Sequence, residues 1–92
     1  MTKTVTKKHF VYILKCADDS LYTGYAIDVE RRVLEHNGEG DKGGAKYTRA
    51  RRPVCLVYKE CFKTRSEAMK RESAIKSLNK SKKLELINSK TN

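Results

Sequence analysis

The chain has no tryptophan, a single proline and three cysteines, and its apolar runs are all far shorter than a membrane span. Without Trp, a core has to come from aliphatic side chains, Tyr and Phe. Cys16, Cys55 and Cys61 are odd in number and lack C-x-x-C spacing, and neither His9 nor His36 stands at ligand distance from a cysteine pair. That pattern argues against structural zinc. The thiols read as small buried hydrophobes in a compartment that keeps them reduced, so the expected location is cytoplasmic. The opening MTKTVTKK lacks the apolar segment of a secretory signal. Negative charge is scarce as well: 11 acidic residues stand against 21 Lys and Arg, giving a formal net charge of +10 in 92 residues. The carboxylates are too scattered for a multi-carboxylate two-metal site. No GxxxxGKS/T phosphate loop occurs, and no Ser-His-Asp or Cys-His arrangement has support. What remains is one small domain whose field attracts polyanions, nucleic acid above all.

The order of elements can be read along the chain. Residues 1–7 form a basic tail expected to be disordered, residues 8–88 a single domain, and residues 89–92 a second disordered tail. HFVYILKC (9–16) and LYTGYA (21–26) are rich in β-branched and aromatic residues and predict two strands. If Ala17–Asp19 form a three-residue loop between them, Leu14 faces Tyr22, Tyr12 faces Gly24, and both tyrosines share one side of the sheet. Asp28 is an N-cap for a helix that Asn37-Gly38 closes. NGEGDKGGAK, with four glycines, is a loop. After Pro53, VCLVYKECF predicts a third strand, with Val54, Leu56, Tyr58, Glu60 and Phe62 on one face. TRSE (64–67) is a capping box that starts a second helix reaching about Leu78. KSKKLELINS then forms a short third helix, docked through Leu84, Leu86 and Ile87. The fold class is α+β: a small three-stranded, mostly antiparallel sheet flanked by helices, in the order β-β-α-β-α-α.

Three groups of residues bear on chemistry. In the first helix, Val29 and Val33 mark the buried stripe, and Arg32 and His36 are i,i+4 neighbours on its edge. They line a site or, more plainly, cover the core with an Arg stem. In the second helix Glu72 falls within an apolar stripe of Ala68, Met69, Ile75 and Leu78. A carboxylate there is metal-bound, or is a rim residue paired with Lys76. GGAKYTRARRP (43–53) sets Lys46, Arg49, Arg51 and Arg52, with Lys42 just before it, around Tyr47 and Thr48. Arg and Tyr together hold phosphate and stack on bases, although a run of charge is often just solvated.

Taken together, Val11-Tyr12-Ile13, Tyr22-Thr23-Gly24, Arg32, His36, GGAKYTRARRP and EAMKRE resemble the GIY-YIG nuclease superfamily over roughly Phe10 to Ile87. The small single-domain bacterial members are most similar. The nuclease domain of a structure-specific endonuclease subunit that pairs with a scaffold protein is similar too. The resemblance implies a nuclease hydrolysing phosphodiester bonds in DNA, single-stranded or branched forms included, with one Mg²⁺ or Mn²⁺ ion held by Glu72. It implies Tyr12 as general base or relay, Tyr22 positioning water or phosphate, and Arg32 stabilising phosphoryl charge. His36 would bond phosphate or accept a proton, and Gly24 would leave space for a close approach. Lys46, Tyr47, Thr48, Arg49, Arg51 and Arg52 would hold the nucleic acid. A protein scaffold is among the partners it allows, as is a module that binds nucleic acid with little catalysis. Phe10 stands in place of the first motif's glycine, Tyr25 where some relatives carry Lys, and Asn79 lies near, but not at, the place of an Asn many members have after the metal-binding Glu.

Overall fold

A computed structural model describes residues 8–38 and 45–90. Both expected tails fall largely outside them, as do Lys42 and the glycines that follow it. The elements are β1 (His9–Lys15), β2 (Leu21–Ala26), α1 (Val29–His36), α2 (Lys46–Arg49), β3 (Cys55–Phe62), α3 (Arg65–Lys76) and α4 (Lys80–Lys90). The one-turn helix α2 interrupts what the sequence reads as a loop. α4 runs through Lys90, so Ser89 and Lys90, expected in a tail, are helical. No helix of the described residues is long and apolar enough to cross a membrane.

The sheet is antiparallel, in the order β2-β1-β3. Asp19 takes a left-handed backbone (φ 68°) in the three-residue hairpin loop, where Asp18 accepts hydrogen bonds from the Ser20 amide and hydroxyl. This loop sets the register: Tyr12 pairs with Gly24 and Leu14 with Tyr22. Because side chains alternate, Tyr12, Leu14 and Tyr22 share one face, which α1 covers. Val11 and Ile13 point the other way, into a core closed by Tyr58, Ala68, Ile75 and Ile87.

Two features of β3 differ from the expected alternation. The β1–β3 register shifts between Ile13 and Leu14, so Tyr58 pairs with Ile13 but Leu56 with Leu14. A bulge moves every residue before it to the opposite face. Leu56 is therefore exposed, and Val57 joins the core on the α3 side. The cysteines also part company: Cys16 is buried, whereas Cys55 and Cys61 are exposed on edge strand β3, Cys61 beside Phe10 on the α1 face and Cys55, before the bulge, beside Lys15 on the other. Leu84 is 42% exposed, so α4 docks through Ile87 and Leu86.

Caps fix the helix ends. Asp28 accepts from the Arg31 amide and Thr64 from the Glu67 amide, both at 3.1 Å. Asn79 accepts from the Lys82 amide at 2.9 Å, which makes it a cap for α4. The far end of α1 is tied to the chain entering β3. Asn37 bonds both backbone groups of Val54, at 2.7 and 2.9 Å, and Arg52 Nε donates to the His36 carbonyl at 2.6 Å. Those ties set His36, the last residue of α1, against the sheet.

Candidate active site

Tyr12 stands on the central strand beside Gly24 of edge strand β2. Its ring lies across that glycine: a Cβ there would fall 2.6 Å from Tyr12 Cζ and closer still to the hydroxyl. Gly24 thus makes room for a phenol of the protein itself, which lets Tyr12 extend over β2. Burial is the largest influence on Tyr12 and pushes its pKa up to about 12. The Tyr22 phenol and, less strongly, the Glu72 carboxylate push the same way, while Arg32 pulls it down by charge and hydrogen bonding. Tyr22, Arg32 and Glu72 therefore all act on Tyr12, although the four come from two strands and two helices.

The partners differ in how open they are. Arg32 is half-buried, and its Nη1 donates to Glu35 Oε1 at 2.8 Å, a bond that aims the guanidinium. Glu35 is held well below the usual carboxylate range by that bond. The Tyr22 hydroxyl makes no hydrogen bond to another described residue, and its ring packs on His36 at 5.1 Å between centroids. Glu72 has a side chain 17% exposed on α3, which packs on β1 and β2 from the opposite side of the sheet. Its Oε2 meets Lys76 Nζ at 3.4 Å, as a rim pair would, while Oε1 has no ion pair among the described residues.

His36 is fully buried, and both ring nitrogens are taken. Nε2 lies 2.9 Å from the Tyr12 hydroxyl and Nδ1 2.8 Å from Thr48 Oγ1. It therefore does not reach a phosphate directly. Burial first, then the Arg32 charge, lowers its pKa to about 4, against a smaller upward pull from Glu35. The ring is neutral at pH 7. Thr48, expected to touch nucleic acid, is also fully buried and is instead a partner of His36. The sequence marks its neighbourhood but not this contact, because a one-turn helix has no periodicity to show which side chain faces inward.

The remaining basic residues form an outer layer. Lys46, Tyr47 and Arg49 are exposed. Tyr47 stacks on Tyr22 at 5.7 Å, and the Arg51 guanidinium lies 4.0 Å from the Tyr47 ring centroid. Arg51 is anchored by Asp18 at 3.1 Å and by the Tyr47 carbonyl at 2.8 Å. Arg52 is half-buried and committed in part to the end of α1, so it stands behind this layer. Aromatic contacts thus run from the surface at Tyr47, stacked on Tyr22, to His36, which the Tyr22 ring meets at a tilt of 60°.

Among the described residues no three His, Cys, Asp or Glu side chains converge on a common point. A single carboxylate, partly open and with one oxygen free of ion pairing among the described residues, nevertheless suits Mg²⁺ or Mn²⁺, since Mg²⁺ commonly keeps several of its waters. Glu72 fits that donor role.

The chain is similar to known proteins over most of its length. The model of the GIY-YIG catalytic domain matches residues 8–85. The chain is 59% identical over 80 residues to a UPF0213 protein of Staphylococcus saprophyticus subsp. saprophyticus, across 87% of this chain and 94% of that one. A UPF0213 protein of Staphylococcus aureus is 61% identical over 80 residues, across 86% and 93%. Among solved structures, the solution NMR structure of a UPF0213 protein from Bacillus halodurans aligns with a TM-score of 0.58 and 46% identity, covering 90% of this chain and 85% of that one. A protein from E. faecalis aligns with a TM-score of 0.59 and 44% identity, covering 94% and 90%. The chain belongs to the GIY-YIG family of nuclease catalytic domains.

Proposed function

We propose that the protein is a divalent-metal-dependent nuclease that hydrolyses phosphodiester bonds in DNA, single-stranded or branched DNA included, in the reducing cytoplasm. The observation that carries this reading is the Tyr12 phenol. It is laid over Gly24, bonded to a neutral His36, and placed in the fields of Arg32 and Glu72. The +10 charge and the exposed Lys46, Tyr47 and Arg49 support a polyanionic substrate.

In this reading Glu72 holds the ion, Mg²⁺ or Mn²⁺, which when bound polarises a phosphoryl oxygen and acidifies water. Arg32, braced by Glu35, offers its guanidinium to charge developing on the phosphoryl oxygens. The Tyr22 hydroxyl is left to orient water or phosphate. Tyr12 serves as base or relay: its oxygen accepts a hydrogen bond from the attacking water and takes that proton only as the phenol's own proton passes to solvent, while His36 fixes the direction of the phenol. A phenol near pKa 12 is a neutral group at pH 7, and neutralising the Glu72 carboxylate removes one of the pushes that keep it so. Tyr47, backed by Arg51, offers a face on which a base stacks.

The test is cleavage of single-stranded, duplex and flap DNA with Mg²⁺, Mn²⁺ or EDTA. The expected result is metal-dependent cutting that Glu72→Gln and Tyr12→Phe each abolish. Salt-sensitive binding with no cutting of any form would replace this reading with that of a binding module, and cutting restored by an added scaffold subunit would make the chain a dependent catalytic subunit.

A further inference from the structure

Thr48 is the buried residue of α2, and its hydroxyl is the hub of a small closed network. Oγ1 lies 2.8 Å from His36 Nδ1, 3.1 Å from the Ala45 carbonyl oxygen and 3.3 Å from the Ala45 amide nitrogen. A hydroxyl has one proton to give. The Ala45 carbonyl can only accept, so the proton belongs between those two oxygens. If it were given to Nδ1 instead, two oxygens would face each other at 3.1 Å with nothing between them. The 2.8 Å contact then needs its proton from His36. The Ala45 amide, slightly nearer Oγ1 than Nδ1 (3.4 Å), is satisfied by the hydroxyl.

We propose that Thr48 is a positioning residue for the reaction: its hydroxyl fixes the buried His36 ring with the proton on Nδ1, so that Nε2 accepts from the Tyr12 hydroxyl. The inference rests on the nuclease reading for its kinetic consequence only; the network itself does not depend on it. With its proton held by Nε2, Tyr12 keeps its oxygen lone pairs directed toward Arg32 and the substrate side. The line Tyr12–His36–Thr48–Ala45 ends on a peptide carbonyl, which takes no proton, so it orients the phenol and carries no proton away. Among the described residues no carboxylate touches Nδ1, so nothing in the described network favours an imidazolium.

Removing the hydroxyl reverses the assignment. In Thr48→Val the Ala45 amide is the donor left beside Nδ1, which then loses its proton to Nε2. Nε2–H faces Tyr12, and the phenol must accept there instead of donating. The experiment is ¹⁵N–¹H NMR of the imidazole, read beside cleavage kinetics. Wild type and Thr48→Ser are expected to show His36 neutral and protonated on Nδ1, and Thr48→Val protonated on Nε2. Thr48→Val is expected to lower kcat about tenfold to a hundredfold with KM nearly unchanged, and Thr48→Ser to restore it. A wild-type spectrum with the proton on Nε2 overturns the inference without any variant having to fold. So does a folded Thr48→Val with unchanged tautomer and kcat while Tyr12→Phe is inactive. If Tyr12→Phe itself cuts normally, the nuclease mechanism fails, and the spectrum still decides what Thr48 does to His36.

Discussion

The two faces of the sheet are built from alternate residues of the same strands and do different work. Val11 and Ile13 point toward α3 and α4, where Tyr58, Ala68, Ile75 and Ile87 complete a largely apolar core. Tyr12 and Leu14 point toward α1, where the buried set includes His36 and Thr48. The first face is closed by helices of 12 and 11 residues, the second by helices of 8 and 4. An apolar face gains stability in proportion to the area it removes from water. Buried polar groups gain little net stability and cost much if left unpaired, so they have to be bonded to one another. On the α1 face they are: Tyr12 to His36, His36 to Thr48, Thr48 to Ala45. One face holds the fold and the other holds a phenol in a fixed direction.

Substitutions that act on one face and spare the other sharpen this contrast. The largest effect is expected from Ile75→Ala. It should cost about 2–5 kcal/mol in urea unfolding and leave the cleavage rate of the folded protein unchanged. A rate loss as large as the stability loss would show that the faces are not separable.

The next effect concerns acid. His36 is lowered to about 4 in the folded protein, against an ordinary value of 6.5. As pH falls, the unfolded chain therefore takes up this proton first. The contribution is complete above pH 6.5, declines between 6.5 and 4, and is gone below, amounting to about 3 kcal/mol at most. The gap in unfolding free energy between wild type and His36→Gln should narrow over that interval. A gap independent of pH would mean that the ring titrates alike in the folded and unfolded protein, and a gap that widens as pH falls would mean that it is charged when folded.

Gly24→Ala tests the space beneath the phenol. The added methyl collides with the Tyr12 ring, so a stability loss of about 1–3 kcal/mol is expected, with a rate loss of about a hundredfold from a displaced reacting group. Normal cleavage by a folded Gly24→Ala would show that the direction of the phenol does not matter.

The sequence makes visible whatever depends on local chemistry. The hairpin register follows from a three-residue loop, and the starts of α1 and α3 follow from Asp28 and Thr64. The edge position of Arg32 follows from helical spacing, whereas His36, expected at the same edge, is fully buried. What the sequence hides is set by neighbours distant in the chain. α2 is one turn whose inward residue is defined by its contact with His36, 12 positions away. The register shift at Ile13/Leu14 leaves no mark in an alternating pattern, so the faces of Leu56 and Val57 cannot be read from β3 alone. Cys55 and Cys61 are exposed on edge strand β3, on opposite faces once the bulge intervenes, which the pattern of β3 alone does not show. Gly24 shows the limit well: its lack of a side chain signals a close approach, but that the approaching group is Tyr12 is apparent only from the paired strands.

The most direct test of the account is single-turnover cleavage of DNA in Mg²⁺ by Tyr12→Phe, with its folding verified by NMR. The expected outcome is a folded protein that still binds DNA and cuts it at least about a hundredfold more slowly than wild type. A folded Tyr12→Phe that cuts at the wild-type rate would place the chemistry elsewhere and leave the phenol a structural group.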